Sequence, residues 1–247
     1  VTAMLEVDKV RKSFGGLLAN KDVSLRVPAG GIFGLIGPNG SGKTTLFNSI
    51  VGLHPVDAGS IRFEGREISR LRVPQIARLG LLRTFQQTRI YGGMTCVQNM
   101  VISVRASERS LRSMFRRTPP EDLRKAEELL EFVGLFPKRH LRAGDLSFGQ
   151  QKLLELAMAL MSGPRMLLLD EPTAGINPTL INGLLERLRK INQQFGITLL
   201  IIEHNMRVIM ELAGYIYCLA HGELLAEGKP AEIQRDPRVL EAYLGAR

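Results

Sequence analysis

The octapeptide Gly37 to Thr44, GPNGSGKT, constrains this chain more than any other stretch of it. Gly37, Gly42, Lys43 and Thr44 satisfy the pattern G-x-x-x-x-G-K-[ST]. Such a loop turns backbone N–H groups inward onto phosphate oxygens, in conformations and at distances that a Cβ would obstruct. The flanks agree with that reading. Ile32 to Ile36 is an apolar run suited to a strand covered on both faces, and the pattern after Lys43 turns helical up to Gly52. In this order of strand, loop and helix, Lys43 would sit on the β- and γ-phosphates and Thr44 would offer its hydroxyl to Mg²⁺. The helix N-terminus would face the anion. Pro38, Asn39, Gly40, Ser41 and Thr45 complete the set expected around the nucleotide.

The rest of the chain extends this into an α/β fold. Leu5 to Val10 and Val23 to Val27 read as strands ahead of the loop, and Met166 to Leu169, Ile197 to Ile202 and Tyr215 to Leu219 read as strands after it. Pro178 to Gln194 is helical, so strands and helices alternate, as a parallel sheet requires. His221-Gly222 looks like a hairpin turn, and two short helical pieces follow it. Thr95 to Met161 carries helical patterns without a convincing strand. Within it, Glu121 to Val133 follows two prolines, has acids in its first turn and stops at Gly134. The expectation is one domain over residues 1–247, with a core of about 1–87 and 164–247 and an inserted helical subdomain of about 88–163.

A phosphate loop needs a second part, because Mg²⁺ wants a carboxylate and the attacking water must be oriented. Met166-Leu167-Leu168-Leu169-Asp170-Glu171 supplies it, since carboxylates at the C-terminal end of a buried strand stand on the edge where open α/β sheets bind ligands. Asp170 would hold Mg²⁺, directly or through water, and Glu171 would act as general base. Asn20-Lys21-Asp22 is similar to a guanine-reading motif, but it is misspaced and precedes the loop.

Leu146-Ser147-Phe148-Gly149-Gln150 lies between these two parts, ahead of a helical pattern in which Ser147 suits the N-cap. Here the chain resembles the ATP-binding cassette (ABC) ATPases, whose LSGGQ signature reads LSFGQ, with Phe148 in place of the first central glycine. The resemblance covers essentially the whole chain. It implies a P-loop NTPase (RecA-like) core with a small antiparallel β region and an inserted α-helical subdomain. It also implies ATP and Mg²⁺ as ligands. Phe14 lies where the family stacks an aromatic on adenine, and Gln86, with Gln87 as the rival register, matches the glutamine that joins the Mg²⁺ site to the helical subdomain. Pro172 to Pro178 resembles the loop through which two such ATPases touch, and His204 matches the histidine that senses the γ-phosphate. In this family one chain carries half a site. Ser147, Phe148, Gly149 and Gln150 would complete the ATP held on the loop of a second ABC ATPase subunit, the same chain or a related one.

FGGLLA at Phe14 to Ala19, RTFQ at Arg83 to Gln86 and PRVLEAYLG at Pro237 to Gly245 resemble the branched-chain amino acid importer ATPases. ATPases for urea uptake and lipopolysaccharide export share parts of the pattern. The resemblance implies two integral-membrane permease subunits, a substrate-binding protein beyond them, and a peripheral place on the cytoplasmic face of the cell membrane. The apolar runs fall well short of the roughly 20 residues that cross a bilayer. The first residues, VTAMLEVDKV, carry charge where an export signal needs an apolar stretch. Cys96 and Cys218 have no ligand-like spacing, which fits a reducing compartment and no zinc site. The net charge of +9 suits anionic partners. Arg105, Arg109, Arg112, Arg116 and Arg117 form a basic stretch that reads as a lipid-headgroup contact or as a solvated loop. A soluble ABC ATPase acting on nucleic acid or ribosomes is the alternative, disfavoured by the single cassette without a tandem copy.

Overall fold

A computed structural model of the chain describes residues 3–84, 90–105 and 118–244. Gln86, Gln87 and the arginines at 109, 112, 116 and 117 lie outside the described residues.

The N-terminal third builds a four-stranded antiparallel sheet in the order β2-β1-β4-β5. Its strands are β1 (Ala3–Phe14), β2 (Leu17–Pro28), β4 (Ala58–Phe63) and β5 (Arg66–Glu67). Alternation explains the pairing: Leu5 and Val7 on β1 and Val23, Leu25 and Val27 on β2 turn inward, while Glu6, Ser24 and Arg26 turn out. A register shift between Val7 and Val10 leaves Lys9 at positive φ and returns Val10 to the buried face.

The second sheet has six strands in the order β10-β9-β3-β8-β7-β6. These are β3 (Ile32–Ile36), β6 (Leu81–Arg83), β7 (Met166–Asp170), β8 (Thr198–Ile202), β9 (Tyr215–Ala220) and β10 (Glu223–Gly228). All pairs are parallel except the hairpin of β9 with β10. Its central strands are apolar along both faces, apart from Thr198 at the start of β8 and Asp170 at the end of β7, because each face has its own layer to meet. Met166, Leu168, Leu200, Ile202, Tyr217 and Leu219 point towards the antiparallel sheet, in one buried cluster with Leu46, Phe47 and Ile50 of α1 (Lys43–Ile50). The alternate residues Leu167, Leu169, Leu199, Ile201, Ile216 and Cys218 meet the helices on the other face.

Those helices are α3 (Cys96–Arg105), α4 (Pro120–Phe132), α5 (Phe148–Met161), α6 (Pro178–Phe195) and α7 (Met206–Leu212). Met100, Leu130, Leu154, Leu188 and Ile209 share one buried cluster with the sheet, so the helical insertion is joined to the core by continuous apolar packing. Helix α6 shows its start and stop signals in place: Asn177 accepts from Thr179 N–H at 3.1 Å, Pro178 opens the helix, and Gly196 closes it at φ +67°. Smaller pieces complete the described chain: α2 (Val73–Arg78), α8 (Pro230–Ile233) and α9 (Pro237–Leu244).

Candidate active site

Strand β3 delivers the chain to Gly37 and α1 begins at Lys43, so the phosphate motif forms the turn between them. Two glycines are required by contact as well as by conformation. Gly37 (φ +145°) packs so close to β9 that a Cβ would stand 2.0 Å from the carbonyl oxygen of Leu219. Gly42 (φ +97°) lies against β2, where a Cβ would stand 2.3 Å from the carbonyl oxygen of Ala19. The loop is also held from outside. Asn20 donates its side-chain N–H to the Gly42 carbonyl at 3.2 Å, and Gly222 N–H donates to the Ser41 carbonyl at 3.2 Å. Within the Asn20-Lys21-Asp22 string, Asn20 thus supports the loop, while Asp22 pairs with Arg11.

Lys43 is buried, and its ammonium donates to the carbonyls of Gly37 at 2.8 Å and Pro38 at 2.9 Å. Burial holds it below the ordinary lysine range, against the pull of Glu171 and Asp170. Beside it opens a cleft of about 620 Å³ whose walls include Phe14, Thr44, Thr45, Glu171 and His204. Phe14, from the end of β1, is 42% exposed, with its ring edge-on to His54 at 5.2 Å. Asp57 pins this strand end: it accepts from Lys12 at 2.8 Å and from Ser13 N–H and Oγ at 2.6 Å, and these bonds hold its carboxyl at about 2.

Strand β7 presents Asp170 and Glu171 differently. Asp170 is buried, with Oδ2 accepting from Arg83 at 2.5 Å, and Arg83 also bonds Asn48 of α1. Glu171 takes a left-handed conformation, φ +50°, which turns its carboxylate into the cleft, where Oε1 meets His204 Nε2 at 2.9 Å. Behind both lies Glu203, almost fully buried. One of its oxygens accepts from Thr173 N–H at 3.0 Å and from the Thr173 hydroxyl, and the other from His204 N–H at 3.0 Å and Asn205 N–H at 3.2 Å. Sequence reading does not reach Asn20, Arg83 or Glu203 as site supports. A carboxylate next to a polar loop carries no mark of the four donors that fold onto it.

The LSFGQ stretch stands outside the cleft walls. Ser147 caps α5 by accepting from Gln150 N–H at 3.4 Å, while the Gln150 side chain accepts from Ser147 N–H at 3.2 Å. Phe148 is 46% exposed and fills the space a side chain at Gly175 would need: a Cβ there would lie 2.7 Å from its ring. Gly149 is close to Ile176 and Leu180. The glycine-to-phenylalanine departure therefore packs the signature onto the Pro172 to Pro178 loop, and Lys152 sits 5.5 Å from the ring centroid. Among the described residues no cluster of three or more His, Cys, Asp or Glu side chains is gathered, so an all-carboxylate metal cage is absent there. A hydroxyl, a carboxylate, phosphate oxygens and water suit Mg²⁺, which keeps much of its hydration shell.

Residues 20–174 match the model of the ABC transporter family, and residues 223–247 match that of the branched-chain amino acid ATP-binding cassette transporter. The chain belongs to the ABC transporter family. It is an ATP-binding, ATP-hydrolysing cassette. It is 39% identical over 252 residues to the high-affinity branched-chain amino acid transport ATP-binding protein BraF of Pseudomonas aeruginosa, covering 98% of each. It is 38% identical to LivG of Salmonella typhimurium, again with 98% of each covered. The ADP conformation of MJ1267, an ATP-binding cassette of an ABC transporter, superposes with a TM-score of 0.89 at 35% identity, covering 99% of this chain and 100% of that one. The cassette MJ0796, whose dimeric post-hydrolysis structure holds ADP and Pi, matches with a TM-score of 0.80 at 25% identity over 92% of this chain and 99% of that one. No helix among the described residues is long and apolar enough to cross a membrane.

Proposed function

We propose that this cassette powers uptake of branched-chain or related amino acids through two separate permease subunits, working as one of a pair of ABC ATPases on the cytoplasmic face of the cell membrane. A substrate-binding protein would deliver the cargo. The names of the relatives, similar along nearly their whole length, support the substrate class, and the match of residues 223–247 adds to it.

One observation carries the mechanism: Lys43, Glu171 and His204 share one cleft, and Ser147 to Gln150 stand outside it. ATP would lie with its base on Phe14 and its phosphates in the loop from Gly37 to Gly42, against Lys43, Thr44 and Thr45. Mg²⁺, held by Thr44 and Asp170 with Gln86, would offset charge on the β- and γ-phosphates. Glu171 takes the proton of the attacking water. His204, anchored through its own N–H to Glu203, sets the orientation of that carboxylate and reads the γ-phosphate. At the N-terminus of α5, Ser147 presents its hydroxyl and Gly149 its N–H to the ATP of the second cassette, since a helix start favours an anion. Closing the pair then depends on ATP and opening on hydrolysis, a population shift driven by the phosphates.

Purification of tagged Glu171→Gln chain from its native membranes, with identification of what accompanies it, tests the assignment. Permease and substrate-binding subunits are expected. Recovery of nucleic acid or ribosomal subunits in their place would overturn it.

A further inference from the structure

The hydroxyl of Tyr243, on the last helix α9, accepts a hydrogen bond of 2.8 Å from the backbone N–H of Gly37, 206 positions earlier. Gly37 is the first residue of the phosphate loop, and its carbonyl accepts from Lys43. Both polar groups of this one residue are therefore committed, the carbonyl to the loop's own lysine and the N–H to a helix from the far end of the chain. Its backbone sits at φ +145°, against β9, with no room for a side chain. A buried N–H without a partner is costly, so the loop's starting geometry and the seating of α9 favour each other. Burial pushes the Tyr243 phenol up to about 12, so it stays neutral at the pH of the cell. The outside supports from Asn20 and Gly222 reach the other end of the loop, at Gly42 and Ser41.

We infer that Tyr243 is a positioning residue for nucleotide binding: through Gly37, α9 holds the phosphate loop in its binding geometry, so that the C-terminal segment sets the affinity of the cassette for nucleotide. The segment lies within residues 223–247, matched by a family model of their own, so this control would belong to the subgroup that carries it. When α9 is displaced, by a bound subunit or by loss of its end, Gly37 N–H is released and the loop samples geometries that do not hold phosphate. Apparent affinity falls by the fraction of time the loop is competent.

The inference rests on the reading of Gly37 to Thr45 as the phosphate site, and the experiment separates the two. The dissociation constant for Mg-ADP is measured by calorimetry on the full chain for wild type, Tyr243→Phe, Leu240→Ala and Lys43→Ala, with melting temperatures alongside. Tyr243→Phe keeps the ring and loses the acceptor; it is expected to bind about 3- to 10-fold more weakly, the range in which the competent loop falls to a minority population. Its turnover at saturating ATP should stay close to wild type, a shift in KM without one in kcat. Leu240, half exposed on the same helix, controls for general damage to α9, and Leu240→Ala should bind as wild type does. Wild-type affinity in Tyr243→Phe overturns the inference, as does equal weakening in Leu240→Ala. Undiminished binding by Lys43→Ala would instead overturn the phosphate-site reading.

Discussion

His204 Nε2 lies 2.9 Å from Glu171 Oε1, although the two residues come from the ends of different strands, β7 and β8. Parallel pairing of β7 with β8 places Asp170 opposite Ile202, so the C-terminal ends of both strands emerge on one edge of the sheet. Glu171 extends this register by donating its N–H to the Ile202 carbonyl at 2.9 Å. On this arrangement Glu171→Gln lowers turnover at least about 100-fold, the lower bound for removing a general base. Binding of ATP persists, because the loop is untouched. His204→Ala lowers turnover as well, with little change in affinity. Pre-steady-state hydrolysis and equilibrium binding on the same samples read both.

Lys43 gives the pH dependence its sign. Its pKa is lowered from 10.5 by burial, and phosphate oxygens bound beside it would raise that value again. A group whose pKa rises on binding takes up a proton in the interval between the two values. Nucleotide affinity should therefore be full below that interval and fall as pH rises through it, beginning below 10.5. Titrating the Mg-ADP dissociation constant from neutral to alkaline pH measures the decline; affinity rising over that range would contradict it.

Glu203 joins the Thr173 segment to the His204 segment through four donors. Glu203→Gln turns an amide NH₂ towards N–H groups that need an acceptor, and leaves at least one of them unmet. The expected loss is about 1–3 kcal/mol of stability. At this chain length that lowers Tm by roughly 2–4 °C per kcal/mol, readable by calorimetry. Turnover should fall alongside, since His204 loses its anchor.

Phe14→Ala should weaken ATP binding by about tenfold, within the 1–3 kcal/mol range of base–aromatic stacking, and change Tm little because the ring is partly exposed. The seat of Phe14 has an acid limit. Asp57 has its pKa lowered from 3.8 to about 2 by Lys12 and Ser13, so its pinning of β1 is complete above 3.8 and lost as pH falls through about 2.

What the sequence made legible follows from how locally each cue is written. Strand β3, the glycine loop and α1 adjoin one another, and the apolar run, the glycines and the helical period all fall within twenty residues. The Asp170-Glu171 edge is similarly compact. Strand β6 is three residues long and α2 six, too short to show a period, and β6 is held by β7, remote in sequence. The supports of the site share that property. Arg83 meets Asp170 at a separation of 87 positions, Thr173 meets Glu203 at 30, and Gly37 meets Tyr243 at 206. Phe148 looks like a defect in the LSFGQ string until Gly175, the residue it packs on, is brought beside it.

On the proposed mechanism, one chain holds a phosphate cleft that only a second cassette can complete. ATP hydrolysis measured together with light-scattering mass, on the same chromatographic fractions in Mg-ATP, tests it most directly. Turnover is expected only in fractions whose mass is that of paired cassettes, and is expected to be lost from those fractions in Ser147→Arg. Full turnover by chains that run as monomers would contradict it.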